Sequence, residues 1–288
     1  MSILDHAKDA KDMALEENYR IKALLGGPSG SGKTQVLITL PREEGKKILV
    51  VDYDNRAQTL AGEEGIKILT LFDRDPNSPK AWRAGEALKK ELWALVKKGE
   101  FPYSAVVEDG LSMMGTIAMN DATTLDVEHL GLGGAPGRSH WMPQIHFLRT
   151  HINSMRQLPC HYILTCHMEF MEDSKTGSLK MYPKVTKSLK PELPAWFNET
   201  YYCFRKGVKD GRVSYRWLTA GTGDMDFFKS TLNQKGLYWR DPIVVNLQSE
   251  PCGFRRLFAY RFGDLKDPRL NKKEEKKDGK KLKNWERE

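Results

Sequence analysis

The sequence has 288 residues, of which 40% are hydrophobic and 29% charged, with a formal net charge of +8. This composition is ordinary for a folded protein, and the length allows one large core or two modest ones. No apolar run approaches the roughly 20 residues of a membrane-spanning helix, and the charged start MSILDHAKDAKD is unlike a signal peptide, so we expect a cytoplasmic protein without a membrane partner. The cysteines form no CxxC pair, which argues against a disulfide framework and favours reduced thiols.

The first predicted elements lead into a glycine-rich loop. Residues 5–19 lack helix breakers and carry alanines and a methionine at helical spacing, which predicts a short N-terminal helix. Residues 20–25 form an apolar run that predicts a strand. After the glycines, residues 34–39 should open a helix that ends before Pro41.

The middle of the chain alternates two kinds of pattern. Continuous apolar runs ended by polar residues predict strands buried on both faces, whereas apolar residues every three or four positions predict helices. The predicted strands are 46–54, 66–72, 103–110 and 161–167, and the predicted helices are 78–98 and 141–158. This alternation favours a parallel sheet covered by helices.

The pattern changes after Thr200. Two runs rich in aromatic and β-branched residues, TYYCFRKGV and RVSYRWLTA, flank Asp210-Gly211. Asp-Gly between two such runs is a strong hairpin signal, so antiparallel strands should follow the parallel ones.

The glycine-rich segment GGPSGSGKTQ carries the strongest motif. Gly27-x-x-x-x-Gly32-Lys33-Thr34 matches the phosphate-binding loop (P-loop) in full, between a predicted strand and a helix start. In such loops backbone amides bind phosphate oxygens, the lysine reaches the β and γ phosphates, and the hydroxyl binds Mg²⁺. A guanine-reading Asn-Lys-x-Asp is absent, so the predicted cofactors are ATP and Mg²⁺. The predicted nucleotide-binding residues are Gly27, Pro28, Ser29, Gly30, Ser31, Gly32, Lys33, Thr34 and Gln35.

Two strands end in acids that could complete this site. ILVVD ends in Asp52, with Asp54 two residues on, and AVVED ends in Glu108 and Asp109, which strand alternation places on opposite faces. We assign Asp109, with Thr34, to the Mg²⁺ site and Asp54 to orienting the attacking water. Glu108 remains the alternative water-positioning group, and a strand-end acid that caps the next turn is the alternative reading for each.

The segment CHYILTCH suggests a metal site at first sight. A strand of six residues separates Cys160 from Cys166 by roughly 20 Å, too far for ligands of one tetrahedral zinc. His167 is better explained as a polar group at a strand end, placed to sense the γ-phosphate, although a hydrogen-bonded loop histidine is equally compatible with the sequence.

The ordered set GGPSGSGKT, ILVVDYD, YSAVVEDGLS, ILTCHME, PKVTKSLKPELPAWFNETYYCF and WLTAGTGDMDFFKS resembles the phage-type RecA-like P-loop ATPases of the AAA/RecA superfamily, which include single-strand annealing recombinases. The resemblance implies an α/β fold: a RecA-like P-loop NTPase core whose mostly parallel sheet is covered by helices, with an antiparallel hairpin toward the C-terminus. It implies an N-terminal extension (1–19), an ATPase core (20–233), a packed C-terminal extension (234–264) and a charged tail (265–288). The tail has one aromatic residue and almost nothing to bury, which predicts disorder.

The resemblance also implies catalytic roles. Lys33 and Asp54 take the places of the P-loop lysine and the catalytic glutamate, His167 that of the sensor linking nucleotide to DNA, and Lys229 that of a late basic residue reaching a neighbouring subunit's γ-phosphate. Asp54 is one methylene shorter than glutamate, which favours slow hydrolysis or ATP used as an assembly switch. Head-to-tail self-assembly into a ring or filament follows from Lys229 acting in trans.

Nucleic acid should bind the segments after the Mg²⁺ strand and the sensor strand, residues 119–139 and 169–190. The second combines lysines that neutralise phosphates with rings that stack on bases, as single-stranded DNA requires; a solvated basic loop is the plainer alternative. A single-strand binding protein is a further candidate partner. The predicted DNA-binding residues are Phe170, Lys175, Lys180, Tyr182, Lys184, Lys187 and Lys190.

Two other classes of function stay open on the sequence alone. A P-loop small-molecule kinase would turn over without DNA. A nucleotide-switched helicase loader or packaging accessory would bind a protein partner and contact DNA weakly.

Overall fold

The computed structural model describes residues 19–75, 78–172, 177–207, 211–221 and 223–270. The predicted N-terminal helix and the part of the charged tail beyond residue 270 lie outside these ranges. Within the described ranges, no helix is both long and apolar enough to cross a bilayer.

Most of the described strands join one large mixed sheet, in the order β11-β9-β8-β1-β5-β4-β2-β3, with β10 also pairing with β8. Strands β6 and β7 form a separate two-stranded sheet. The strands are β1 (Lys22–Gly26), β2 (Lys47–Asp52), β3 (Ile66–Thr70), β4 (Tyr103–Asp109), β5 (His161–Cys166), β6 (Met168–Glu172), β7 (Leu179–Pro183), β8 (Glu199–Gly207), β9 (Val213–Leu218), β10 (Lys229–Ser230) and β11 (Ile243–Val244).

The central strands are parallel, and β5 separates the P-loop strand β1 from β4. Strand β8 is parallel to β1, whereas β9 returns antiparallel to β8. The turn of this hairpin includes residues 208–210, which lie outside the described ranges. The predicted α/β fold, a mostly parallel sheet with helices and an antiparallel hairpin toward the C-terminus, is confirmed.

Strand alternation builds two cores, one on each face of the sheet. In β4, Val106 faces the first core, while Ala105 and Val107 face the second. Because all three are fully buried, these strands read as continuous apolar runs in the sequence. The first core is covered by three helices: α1 (Ala81–Lys98), α2 (Leu111–Thr123) and α3 (Arg138–Met155).

Local chemistry sets the ends of α1. Asp73 Oδ1 accepts hydrogen bonds of 2.8 Å from the backbone amides of Lys80 and Ala81, which satisfies donors that the first helical turn leaves free. Gly99 ends the helix with φ +73°, a left-handed conformation that favours glycine. The sequence prediction of a helix ending at this glycine is confirmed.

The segment after the P-loop is shorter than an ordinary helix. Only a 3₁₀-helix, Gln35–Thr39, forms there, and it ends before Pro41. The C-terminal helix α4 (Gly253–Phe262) packs on it: the amide of Phe254 donates to Thr39 Oγ1 at 3.0 Å, and Phe254 and Leu257 join the second core.

Candidate active site

A cavity of about 520 Å³ opens where the parallel strands end at their carboxyl edge. The P-loop forms its floor, and side chains from several strand ends surround it. The lining residues are Ser29, Gly30, Ser31, Gly32, Lys33, Thr34, Gln35, Val36, Asp54, Arg56, Thr59, Asp109, Gly110, Thr165, Cys166, His167, Tyr215, Val245, Leu247 and Gln248.

Glycines allow the P-loop to take its path. Gly30 and Gly32 have φ of +72° and +83°, a backbone conformation that residues with a Cβ rarely adopt. Gly27 lies so close to β8 that an added Cβ would be 2.2 Å from the carbonyl oxygen of Cys203. The loop is therefore tied to the sheet at one end and free to turn its amides into the cavity at the other.

Polar groups in the loop are available to phosphate. Lys33 Nζ donates to the carbonyl oxygens of Gly27 and Pro28, each at 2.9 Å, so its charge is held above the loop. Ser31 Oγ is buried and has no hydrogen-bond partner among the described residues. A buried orphan hydroxyl is costly unless a ligand satisfies it.

Asp109 and Thr34 meet directly, since Thr34 Oγ1 donates to Asp109 Oδ2 at 2.7 Å. The hydroxyl of Thr165, at the end of β5, donates to Asp109 Oδ1 and accepts the amide of Gly110. Thr165 therefore fixes the orientation of the Asp109 carboxylate. The sequence analysis missed it, although a lone threonine in the apolar run ILTC was a usable signal.

Asp54 borders the same cavity. Partial burial, followed by the nearby charge of Asp109, raises the pKa of Asp54 above the ordinary aspartate value. Asp52 has a structural task instead, because its carboxylate accepts the amides of Asp54 and Ala57 at 3.1 and 2.8 Å. Asp52 thus holds the loop that presents Asp54.

His167 also lines the cavity, one residue beyond β5. Burial and the charge of Lys33 lower its pKa, against the opposing effect of Asp54, so neutral imidazole is favoured. Its backbone carbonyl accepts the amide of Lys184 at 2.8 Å, which closes the base of the β6–β7 hairpin.

The structure does not bring Glu108 to the cavity, which corrects its placement as an alternative water-positioning group. Its carboxylate points to the opposite face of β4 and is fully buried. There it accepts the hydroxyls of Tyr53 and Tyr162 and pairs with His151. Burial alone would raise the pKa of Glu108, but the charge of His151 and these hydrogen bonds lower it.

The segment predicted to bind DNA, residues 169–190, contains most of the β6–β7 hairpin. Phe170 on β6 is 57% exposed, and Lys184 at the hairpin base is exposed. Lys180 lies 3.7 Å from Asp226, and Tyr182 stacks on Phe227.

The remaining lysines of that segment differ. Lys190 is largely buried and forms a 2.7 Å ion pair with Glu169, so its charge is already neutralised. Lys175 and the side chain of Lys187 lie outside what the structure describes. Lys229, the predicted trans-acting residue, is exposed on β10, where its amide donates to Thr200 at 3.0 Å; the structure does not bring it to this chain's own cavity.

Further cavity residues come from segments that carry no sequence motif. Tyr215 on β9 forms one wall together with Val245, Leu247 and Gln248, which follow β11, and Arg56 follows β2. The exposed Arg205 guanidinium lies over the P-loop, 3.5 Å from where a Cβ on Gly30 would be. No local motif marks these residues, because the sheet order alone brings them to the P-loop.

The residues present fit ATP with Mg²⁺. The glycine cradle and the orphan hydroxyl of Ser31 suit a polyanion, and the hydroxyl of Thr34 beside the carboxylate of Asp109 offers the oxygen ligands that Mg²⁺ prefers.

The comparison with protein families agrees with this geometry. A family model described as an AAA domain matches residues 19–232, which include the P-loop, Asp109 and His167. No curated protein shows significant similarity to the chain. The match covers most of the sequence, and the chain therefore belongs to the AAA domain family and is an AAA-type P-loop ATPase.

Proposed function

We propose that the protein is a Mg²⁺-dependent ATPase of phage-type DNA recombination, which assembles on single-stranded DNA and promotes annealing or strand pairing. The observation that carries the proposal is the direct connection between the cavity and the β6–β7 hairpin. His167 lines the cavity, and Met168, the next residue, begins the hairpin. In this proposal residues 20–233 form the ATPase core and residues 234–264 an extension packed on it.

The cavity residues divide the work of hydrolysis. Lys33 binds the β and γ phosphates, while Thr34 and Asp109 hold Mg²⁺, which neutralises charge on the phosphate oxygens when bound. Asp54 orients the attacking water and accepts its proton. Thr165 keeps the Asp109 carboxylate in position through its hydroxyl. The short side chain of Asp54 favours slow turnover.

The hairpin is rigidly connected to the nucleotide site at two points. The Lys184 amide bonds to the His167 carbonyl at its base. Met168 packs on the P-loop strand, since a Cβ on Gly26 would be 2.3 Å from Met168 Sδ. A shift of His167 on nucleotide binding would therefore move the hairpin as well.

The hairpin offers the groups that sequence-tolerant single-strand binding requires. The exposed ring of Phe170 can stack on a base, and Lys180 and Lys184 can neutralise phosphates. Exposed Lys229 would complete the site of a neighbouring subunit in a head-to-tail ring or filament. A single-strand binding protein is a further partner in this proposal.

The test is ATP hydrolysis with and without single-stranded DNA across a salt series, with Lys33→Ala as the blank. DNA should stimulate turnover, and the stimulation should fade as salt rises. Lys33-dependent turnover that ignores DNA would refute the DNA-coupled function. Turnover on a small-molecule acceptor would then indicate a kinase, and stimulation by a protein partner would indicate a nucleotide-switched loader or packaging accessory.

A further inference from the structure

One wall of the active-site cavity has no part in the chemistry described above. It consists of Tyr215 on β9 and of Val245, Leu247 and Gln248, which follow β11. We call these four residues the C-terminal wall. Three of them lie beyond residues 19–232, the region matched by the AAA domain model.

The sheet order places this wall at the end of the cavity away from the acids. Strands β4 and β2, which lead to Asp109 and Asp54, lie on one side of the P-loop strand β1. Strands β8, β9 and β11 lie on the other side. A nucleotide whose phosphates lie between Lys33 and Asp109 must therefore direct its nucleoside either toward β9 or out of the cavity.

One backbone hydrogen bond and one hydrogen bond to a side chain hold the wall in place. The Val245 amide donates to the Tyr215 carbonyl at 2.9 Å, and the Tyr215 amide donates to Asn246 Oδ1 at 2.7 Å. The Tyr215 ring lies against the P-loop, since a Cβ on Gly32 would be 3.1 Å from its Cδ1 atom. Tyr215 lines the cavity and is only partly buried, so part of its ring is open to a ligand there.

Helix α4 also fixes the C-terminal segment that carries the wall. An added Cβ on Gly253 would be 2.2 Å from Thr39 Oγ1 and 2.8 Å from Val36 Cγ2, so α4 meets the 3₁₀-helix after the P-loop without a gap. The C-terminal segment is thus fixed to the P-loop helix and to β9 at once, and the wall is preformed.

We propose that the C-terminal wall binds the nucleobase of a purine nucleotide. Tyr215 stacks on the base, and the apolar side chains of Val245 and Leu247 keep water away from the base. The Gln248 side-chain amide, which can both donate and accept, forms hydrogen bonds with the edge of the base. This inference rests on nucleotide binding at the P-loop, as in the proposed function. It assigns base recognition to residues that mostly lie outside the matched AAA domain.

The test compares equilibrium binding of Mg-ATP with that of Mg-tripolyphosphate, which has the phosphates but no nucleoside. Tyr215→Ala should raise the Kd for Mg-ATP about ten-fold or more, as expected for loss of one base–aromatic stack. The same variant should bind Mg-tripolyphosphate as the wild type does. Tyr215→Phe, which keeps the ring, should retain Mg-ATP affinity, and Tyr202→Ala on β8 is the matched control because Tyr202 is half-buried but does not line the cavity.

The outcomes separate the two proposals. If Tyr215→Ala leaves the Kd for Mg-ATP unchanged, or weakens the binding of Mg-ATP and of Mg-tripolyphosphate equally, the base-binding role of the wall is refuted. If wild type and Lys33→Ala bind tripolyphosphate equally weakly, nucleotide binding at the P-loop itself fails. Leu247→Ala gives an independent second variant, since Leu247 lies in a loop, where a truncation leaves the sheet intact.

Discussion

The Nε2 atom of His151 on α3 lies 2.7 Å from Glu108 Oε1, and both side chains are buried. The Nδ1 atom of the same imidazole lies 2.7 Å from Glu86 on α1. Burial alone would lower the pKa of His151, but the charge of Glu108 and the hydrogen bonds to both glutamates raise it to about 9. Burial would raise the pKa of Glu86, but the hydrogen bonds from His151 and Lys89 lower it to about 2.

These shifts predict a pH window for stability. The His151 contribution is complete below the unfolded-state pKa of about 6.5 and is lost as pH rises through about 9. The Glu86 contribution is present above about 4.5 and is lost as pH falls through about 2. Denaturant unfolding should therefore show a loss of stability between about pH 6.5 and 9 in the wild type. His151→Gln should flatten this loss, while His146→Gln, an exposed site on the same helix, should not.

Asp109→Asn should lower ATP turnover by a factor of about 10² to 10³, because a neutral amide holds Mg²⁺ less tightly than a carboxylate does, and the bound Mg²⁺ neutralises the developing phosphate charge. Turnover against Mg²⁺ concentration measures this, and the variant should need more Mg²⁺. Asp224→Asn, at an exposed site, is the control. An Asp109→Asn enzyme with wild-type Mg²⁺ dependence would contradict the assignment.

Asp54→Ala should abolish turnover while Mg-ATP binding survives, because Asp54 acts on the attacking water. Glu108→Gln should instead lower the melting temperature and leave kcat largely intact in the folded fraction, since Glu108 contacts only buried groups on the other sheet face. Equal losses of kcat in Asp54→Ala and Glu108→Gln would contradict the assignment of Asp54, and not Glu108, to the attacking water.

Phe170→Ala should weaken single-stranded DNA binding by about five-fold to a hundred-fold, the range expected for one base stack. Leu179→Ala is a matched control, because Leu179 lies on the other strand of the hairpin, is 55% exposed and has no ring. Fluorescence anisotropy of a labelled oligonucleotide measures both affinities. If the two variants lose affinity equally, the hairpin contacts DNA through general apolar surface and base stacking on Phe170 is excluded.

The sequence predicts the parallel strands and the P-loop well, because both depend on local patterns. The apolar run that ends in Asp109 and the glycine-rich loop before Lys33 can each be recognised from the adjacent residues alone. The network around Glu108 could not be predicted in this way, since His151 and Tyr53 reach it from other elements. The sequence does not predict the β6–β7 hairpin, because Glu169, Glu172 and the lysines obscure the strand alternation.

The C-terminal wall lay beyond sequence reasoning for a related reason. Val245 approaches the P-loop only because β11 pairs with β9 and α4 packs under Val36. Neither contact can be predicted from the local sequence pattern. Val245 and the P-loop are about two hundred residues apart in the sequence, and only tertiary packing brings them together.

The position of α4 has a consequence for synthesis on the ribosome. The helix supplies Phe254 and Leu257 to the core cluster that contains Val36 and Leu37, which directly follow the P-loop. A nascent chain that has emerged only as far as β9 has made every P-loop residue but lacks the surface on which the P-loop helix rests. The nucleotide pocket therefore lacks part of its support until α4 has been synthesised.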